Sequence, residues 1–132
     1  MTNKEKTIKA FKELIERYMR PIGQSFGHWD TCPLCEIFHV RRRKLSRSRK
    51  STIKDCQGCP LADKNGEMGC INFESYPHVD ADSKFTPFSI KQLEALERRA
   101  KFFEKYLPII EKMPARKFTI SGWSYFKFDL RD

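Results

Sequence analysis

Two pairs of cysteines constrain this chain more than anything else in it. They read Cys32-Pro33-Leu34-Cys35 and Cys56-Gln57-Gly58-Cys59, with twenty residues between the pairs. Two residues between cysteines let one tight turn aim both sulfurs at one ion. Two such turns supply the four thiolates of a tetrahedral structural zinc site. The spacer lies at the upper edge of the range such sites use. The expected ligands of one zinc ion are therefore Cys32, Cys35, Cys56 and Cys59. Cys70, the fifth cysteine, is first reserve. His28, four residues before Cys32, and His39, four after Cys35, are also placed to reach a metal. Two other readings stay open. Four thiolates also suit an iron–sulfur cluster. A redox C-x-x-C needs a βαβ setting and a helix that starts at the motif, and the sequence displays neither.

The surroundings favour a metal over structural disulfides. The N-terminus, MTNKEKTIKAFKELIERYM, is charged throughout and lacks the apolar centre of a secretory signal. No apolar run approaches the ~18 residues needed to span a bilayer. The expected location is the cytoplasm, where thiols stay reduced and paired cysteines read as metal or redox sites. At 132 residues the natural expectation is one domain, 1–132, with the zinc module at 28–78 inside it. Eleven phenylalanines give the chain enough large apolar surface to collapse.

The chain outside the cysteine region shows clear periodicity. Residues 3–20 read as an amphipathic helix with Ile8, Phe11, Leu14, Ile15 and Tyr18 on one face. Thr2 and Glu5 stand at capping-box spacing. Residues 87–107 read as a second helix, with Ile90, Leu93, Leu96, Ala100, Phe103 and Leu107 as its stripe. Thr86-Pro87 is the start signal, and Pro108 and Pro114 bound the end. From 116 to 130 the period changes: Phe118 and Ile120, then Phe126, Phe128 and Leu130, alternate as strand residues do. The expected fold class is α+β, a zinc module between two amphipathic helices with a short C-terminal strand or hairpin packed on them.

The formal net charge is +9. Four metal-bound thiolates and a divalent ion lower it by about two units, which leaves the chain basic and suited to anionic partners. The charge concentrates at 41–50, RRRKLSRSRK, between the two cysteine pairs. Arginine's planar fork makes bidentate bonds to phosphate. Arg41, Arg42, Arg43, Lys44, Arg47, Arg49 and Lys50 are thus the expected contacts to nucleic acid, or to an acidic or nucleic-acid-binding surface of a host protein. The alternative is a solvated loop that aids solubility.

The run Cys32-Pro33-Leu34-Cys35, Cys56-Gln57-Gly58-Cys59-Pro60-Leu61, Gly69-Cys70 and Ser75-Tyr76, with Trp29 upstream, resembles small cysteine-rich, zinc-ribbon-like proteins of bacteriophages and mobile elements. The basic insert is a departure, since the spacer in that pattern is commonly shorter. The resemblance implies a zinc-stabilised module and a phage or prophage source, hence a bacterial host cytoplasm. It supplies no activity. The leading expectation is a small basic accessory protein that binds nucleic acid or a nucleoprotein complex. The second is a protein that inhibits a bacterial host enzyme, such as a CRISPR effector or other defence nuclease, or RNA polymerase. The third is a zinc-knuckle nuclease using His28 or His78. No phosphate-binding glycine loop, H-E-x-x-H or nucleophile motif points to an enzyme.

Overall fold

The computed structural model describes residues 1–20, 32–38, 59–61 and 88–118. Their regular elements are helix α1 (Asn3–Met19), helix α2 (Pro33–Phe38), helix α3 (Ile90–Lys112) and a 3-10 turn (Ala115–Phe118). Helix α1 packs against all three of the others.

Helix α1 begins where the sequence places it. Thr2 is the N-cap, and its hydroxyl accepts the Glu5 N–H at 3.2 Å. Phe11, Leu14 and Tyr18 are buried, with Ile8 and Ile15 partly buried beside them. Thr7 shares the buried face. Its hydroxyl donates to the Asn3 carbonyl at 2.6 Å, which removes the cost of burying that hydroxyl.

Helix α3 runs antiparallel to α1. Tyr18, at the C-terminal end of α1, faces Arg99, while Asn3, at its start, donates from Nδ2 to the Phe118 carbonyl at 3.1 Å. An aromatic cluster fills the interface. Phe103 meets Phe11 edge-on at 4.8 Å between centroids, lies near-parallel to Tyr18 at 6.0 Å and meets Phe102 edge-on at 5.1 Å. Each such pair adds about 0.5–1.5 kcal/mol beyond the burial of its area.

The boundaries of α3 differ from the expected ones. The helix starts at Ile90 under a complete capping box: Ser89 Oγ accepts the Gln92 N–H at 3.2 Å, and Gln92 Oε1 accepts the Ser89 N–H at 2.8 Å. Thr86 and Pro87 lie outside the described residues. Pro108 does not end the helix; it sits inside it, and the helix continues to Lys112. Proline here forfeits one hydrogen bond on an exposed face. Buried Tyr106 and Ile110 on the opposite face hold the last turns in place. Ile90 and Leu93, expected in the buried stripe, are exposed; the buried face of the helix begins at Ala95 and Leu96.

The expected α+β class is corrected. Among the described residues every regular element is helical and no strand occurs. The first residues of the expected strand, through Phe118, form the 3-10 turn instead. There the Lys117 N–H bonds locally to the Pro114 carbonyl at 3.1 Å, where a strand would offer its groups to a ladder. Alternation over so few residues does not separate a strand from a turn that buries one phenylalanine. The remainder of that expected strand, 119–130, lies outside the described residues. Among the described residues no helix is long and apolar enough to cross a membrane.

Candidate metal centre

The first cysteine pair is built into the start of α2. Pro33 takes the first helical position, where its missing N–H costs nothing and its fixed backbone angle suits the helix. Cys32 immediately precedes it, and the Cys32 carbonyl accepts the Glu36 N–H at 3.2 Å. Leu34 and Phe38 are almost wholly buried and dock this short helix on α1. A helix therefore does start at the C-x-x-C motif, a feature the sequence did not display.

This placement turns Cys32 Sγ back over the first turn. It accepts hydrogen bonds from the Cys35 thiol and from the backbone N–H groups of Cys35 and Leu34. The Cys35 thiol contributes most to holding the Cys32 thiol down, at about 6 against an ordinary 9.0. Burial opposes the shift, and the two N–H groups and the charge of Arg99 add to it. A metal-binding cysteine must be a thiolate, so these donors favour the state that a ligand needs. N–H groups aimed at the sulfur are also the usual outer support of a thiolate ligand.

Arg99 reaches this region from α3. It is only 5% exposed, a rare position for a guanidinium, which must then be partnered. Its Nε donates to the Tyr18 hydroxyl at 3.3 Å. Its guanidinium carbon stands 5.8 Å from the Tyr18 ring centroid and 5.9 Å from that of Phe103. Burial pushes the Tyr18 phenol above its ordinary value, Arg99 pulls it back, and the Cys32 sulfur pushes it up again. Tyr18, Arg99 and Cys32 thus form one electrostatically connected group at the junction of all three helices. Arg99 escaped the sequence reading because it lies in the charged run Glu97-Arg98-Arg99. Its spacing was the available signal: Leu96, Arg99, Phe103, Tyr106 and Ile110 step by three and four along one buried face.

The remaining expected ligands divide as follows. Cys59 is buried, followed by the buried Pro60 and Leu61, and it joins the same core as Leu34 and Phe38. Cys32, Cys35 and Cys59 carry thiols rather than disulfides. Among the described residues no three His, Cys, Asp or Glu side chains gather at one point to hold a metal. Cys32, Cys35 and Cys59 are all described and do not form such a group together; of these three expected ligands only Cys32 and Cys35 share one turn. Cys56, Cys70, His28 and His39 lie outside the described residues. So do His78 and all seven basic residues from Arg41 to Lys50.

No protein-family model matches this chain, and neither a curated protein nor a solved structure does.

Proposed function

We propose that the chain is a small zinc-stabilised binding protein. One zinc ion, held by Cys32, Cys35, Cys56 and Cys59, ties the central segment to the helices and presents the basic stretch 41–50 to an anionic partner. The partner class is nucleic acid or a nucleoprotein complex, in the cytoplasm of a bacterial cell. The observation that carries the zinc half is the Cys32/Cys35 turn. Its first sulfur meets four favourable influences, namely two backbone N–H groups, a neighbouring thiol and a buried arginine. Zinc, when bound, supplies a cross-link between segments distant in sequence, which stabilises the folded state directly. The partner half rests on seven basic residues in ten between the two cysteine pairs.

Two measurements test this reading. The first is metal content of the purified chain, with one zinc per chain expected. A chain that folds stably and carries no zinc sinks the metal half. The second is binding to duplex and single-stranded DNA and RNA over a range of salt. Replacing Arg41, Arg42 and Arg43 by alanine is expected to weaken binding on every sequence and to flatten the salt dependence by about one unit per lost phosphate contact. Unchanged affinity and slope exclude this segment as the contact surface. A host protein retained after nuclease treatment of the lysate, with no binding to naked nucleic acid, points instead to an inhibitor whose basic segment occupies an acidic channel.

A further inference from the structure

We infer that the end of the helix pair where α1 starts and α3 stops is a docking surface for the phosphate backbone of a nucleic-acid duplex. The partner class rests on the function proposed above; the surface itself uses neither a zinc ion nor the segment 41–50. The Asn3 side chain, bonded to the Phe118 carbonyl at 3.1 Å, joins the first turn of α1 to the 3-10 turn that follows α3. Residues 1–9 and 111–118 meet at this end. Together they carry six basic side chains, Lys4, Lys6, Lys9, Lys112, Arg116 and Lys117, against two acids, Glu5 and Glu111. Lys6 and Lys9 follow Asn3 at steps of three and so run along one ridge of α1. At the far end, residues 13–20 and 88–98 carry four side chains of each sign.

Ion pairing follows the same division. Toward the far end Arg17 pairs with Glu13 and Lys101 with Glu97, each at 3.1 Å. Among the described residues Lys4, Lys6, Lys9 and Lys112 make no ion pair. Lys6, Lys9 and Lys112 are exposed. Lys4 and Lys6 also stand in the first turn of α1, where the helix dipole is itself positive and cations are unfavourable. Local conflicts of this kind concentrate where function requires them. A polyanion lying across this end turns the repulsion into attraction.

The chemistry of the surface selects the partner. Five of the six basic residues are lysines, flexible point charges that adapt to a row of phosphates. Lysine is depleted from protein–protein interfaces, so an acidic protein is the poorer fit. Among the described residues no aromatic ring is exposed. Unpaired bases have nothing to stack on here, which favours a duplex over a single strand.

The experiment uses the full chain, a DNA duplex of mixed sequence and fluorescence anisotropy over a range of salt. Lys6→Gln, Lys9→Gln and Lys112→Gln in one variant are expected to weaken binding and to flatten the log–log salt slope by about 0.9 per lost contact. The urea midpoint of this variant is expected to stay level or rise, since losing Lys6 relieves the first turn of α1. Arg20→Gln, Lys91→Gln and Arg98→Gln in a second variant remove the same charge from the far end and are expected to leave the slope nearly unchanged. An unchanged slope in the first variant overturns the surface. Equal losses in the two variants overturn it as well, because net charge alone then governs binding. Replacing Arg41, Arg42 and Arg43 by alanine in parallel separates the two readings. A loss there alone overturns the helical surface and keeps the segment 41–50 as the contact; a loss in the first variant alone does the reverse. Binding to single strands without binding to duplex overturns the helical surface only, and no binding to any nucleic acid overturns both.

Discussion

Arg99 Nε donates to the Tyr18 hydroxyl at 3.3 Å across 81 residues of sequence, and both side chains are buried. This contact joins the end of α1 to the middle of α3 and places a fixed positive charge beside the first cysteine pair. Tyr18→Phe leaves the Nε donor without that acceptor. The expected loss of stability is about 1–3 kcal/mol, read from urea unfolding. Arg99→Met keeps much of the volume and removes the buried charge, so it is expected to cost less than Tyr18→Phe in the zinc-stripped chain. The reverse order contradicts the account of Arg99 as a charge held by Tyr18 and the aromatic faces.

Phe103 is fully buried and touches Phe11, Tyr18 and Phe102. Phe103→Ala is expected to destabilise the chain by about 3–5 kcal/mol, because the surrounding rings cannot all move in to fill the space. A domain of this size has only about 5–15 kcal/mol in total, so the variant is expected to lie near the edge of folding. Circular dichroism during thermal unfolding reads this out, and a change within experimental scatter counts against Phe103 as the centre of the core.

The two ends of α3 make opposite predictions. Ser89→Ala removes half of the capping box and is expected to cost about 0.5–2 kcal/mol. Pro108→Ala, on an exposed position inside the helix, restores a backbone donor. It is expected to raise stability by about 1 kcal/mol or more. Denaturant midpoints of the two single variants should move in opposite directions.

In the zinc-stripped chain, Cys32 predicts a specific pH dependence. Its folded value of about 6 lies below the ordinary 9.0, so between these values the unfolded chain binds the extra proton. Stability is therefore expected to rise with pH across that window. The contribution is complete above the upper value and is lost as pH falls through the lower one. Cys32→Ser should flatten this part of the profile. Zinc loading should move the loss of stability to lower pH, since the metal competes with the proton for the same sulfur. A wild-type profile that falls as pH rises through this window would contradict the donors assigned to Cys32.

Several features were legible in the residues alone. Thr2, Phe11, Leu14 and Tyr18 announced α1 because capping and helical periodicity are local properties. The centre of α3 was legible for the same reason, through Leu96, Ala100 and Phe103. The C-P-L-C spacing identified one turn with two sulfurs. What the sequence could not state is whatever depends on a partner far along the chain. Arg99 reads as solvated charge until Tyr18 arrives from α1 to cover it, beside Phe103 one turn further along α3. Pro108 reads as a stop until buried Tyr106 and Ile110 hold the helix through it. Phe118 reads as a strand residue until the Asn3 side chain takes its carbonyl. The helix at Cys32 is short, and it forms where Leu34 and Phe38 find α1. In each case a local preference of about a kilocalorie per mole or less yielded to burial and hydrogen bonding that only the assembled core provides.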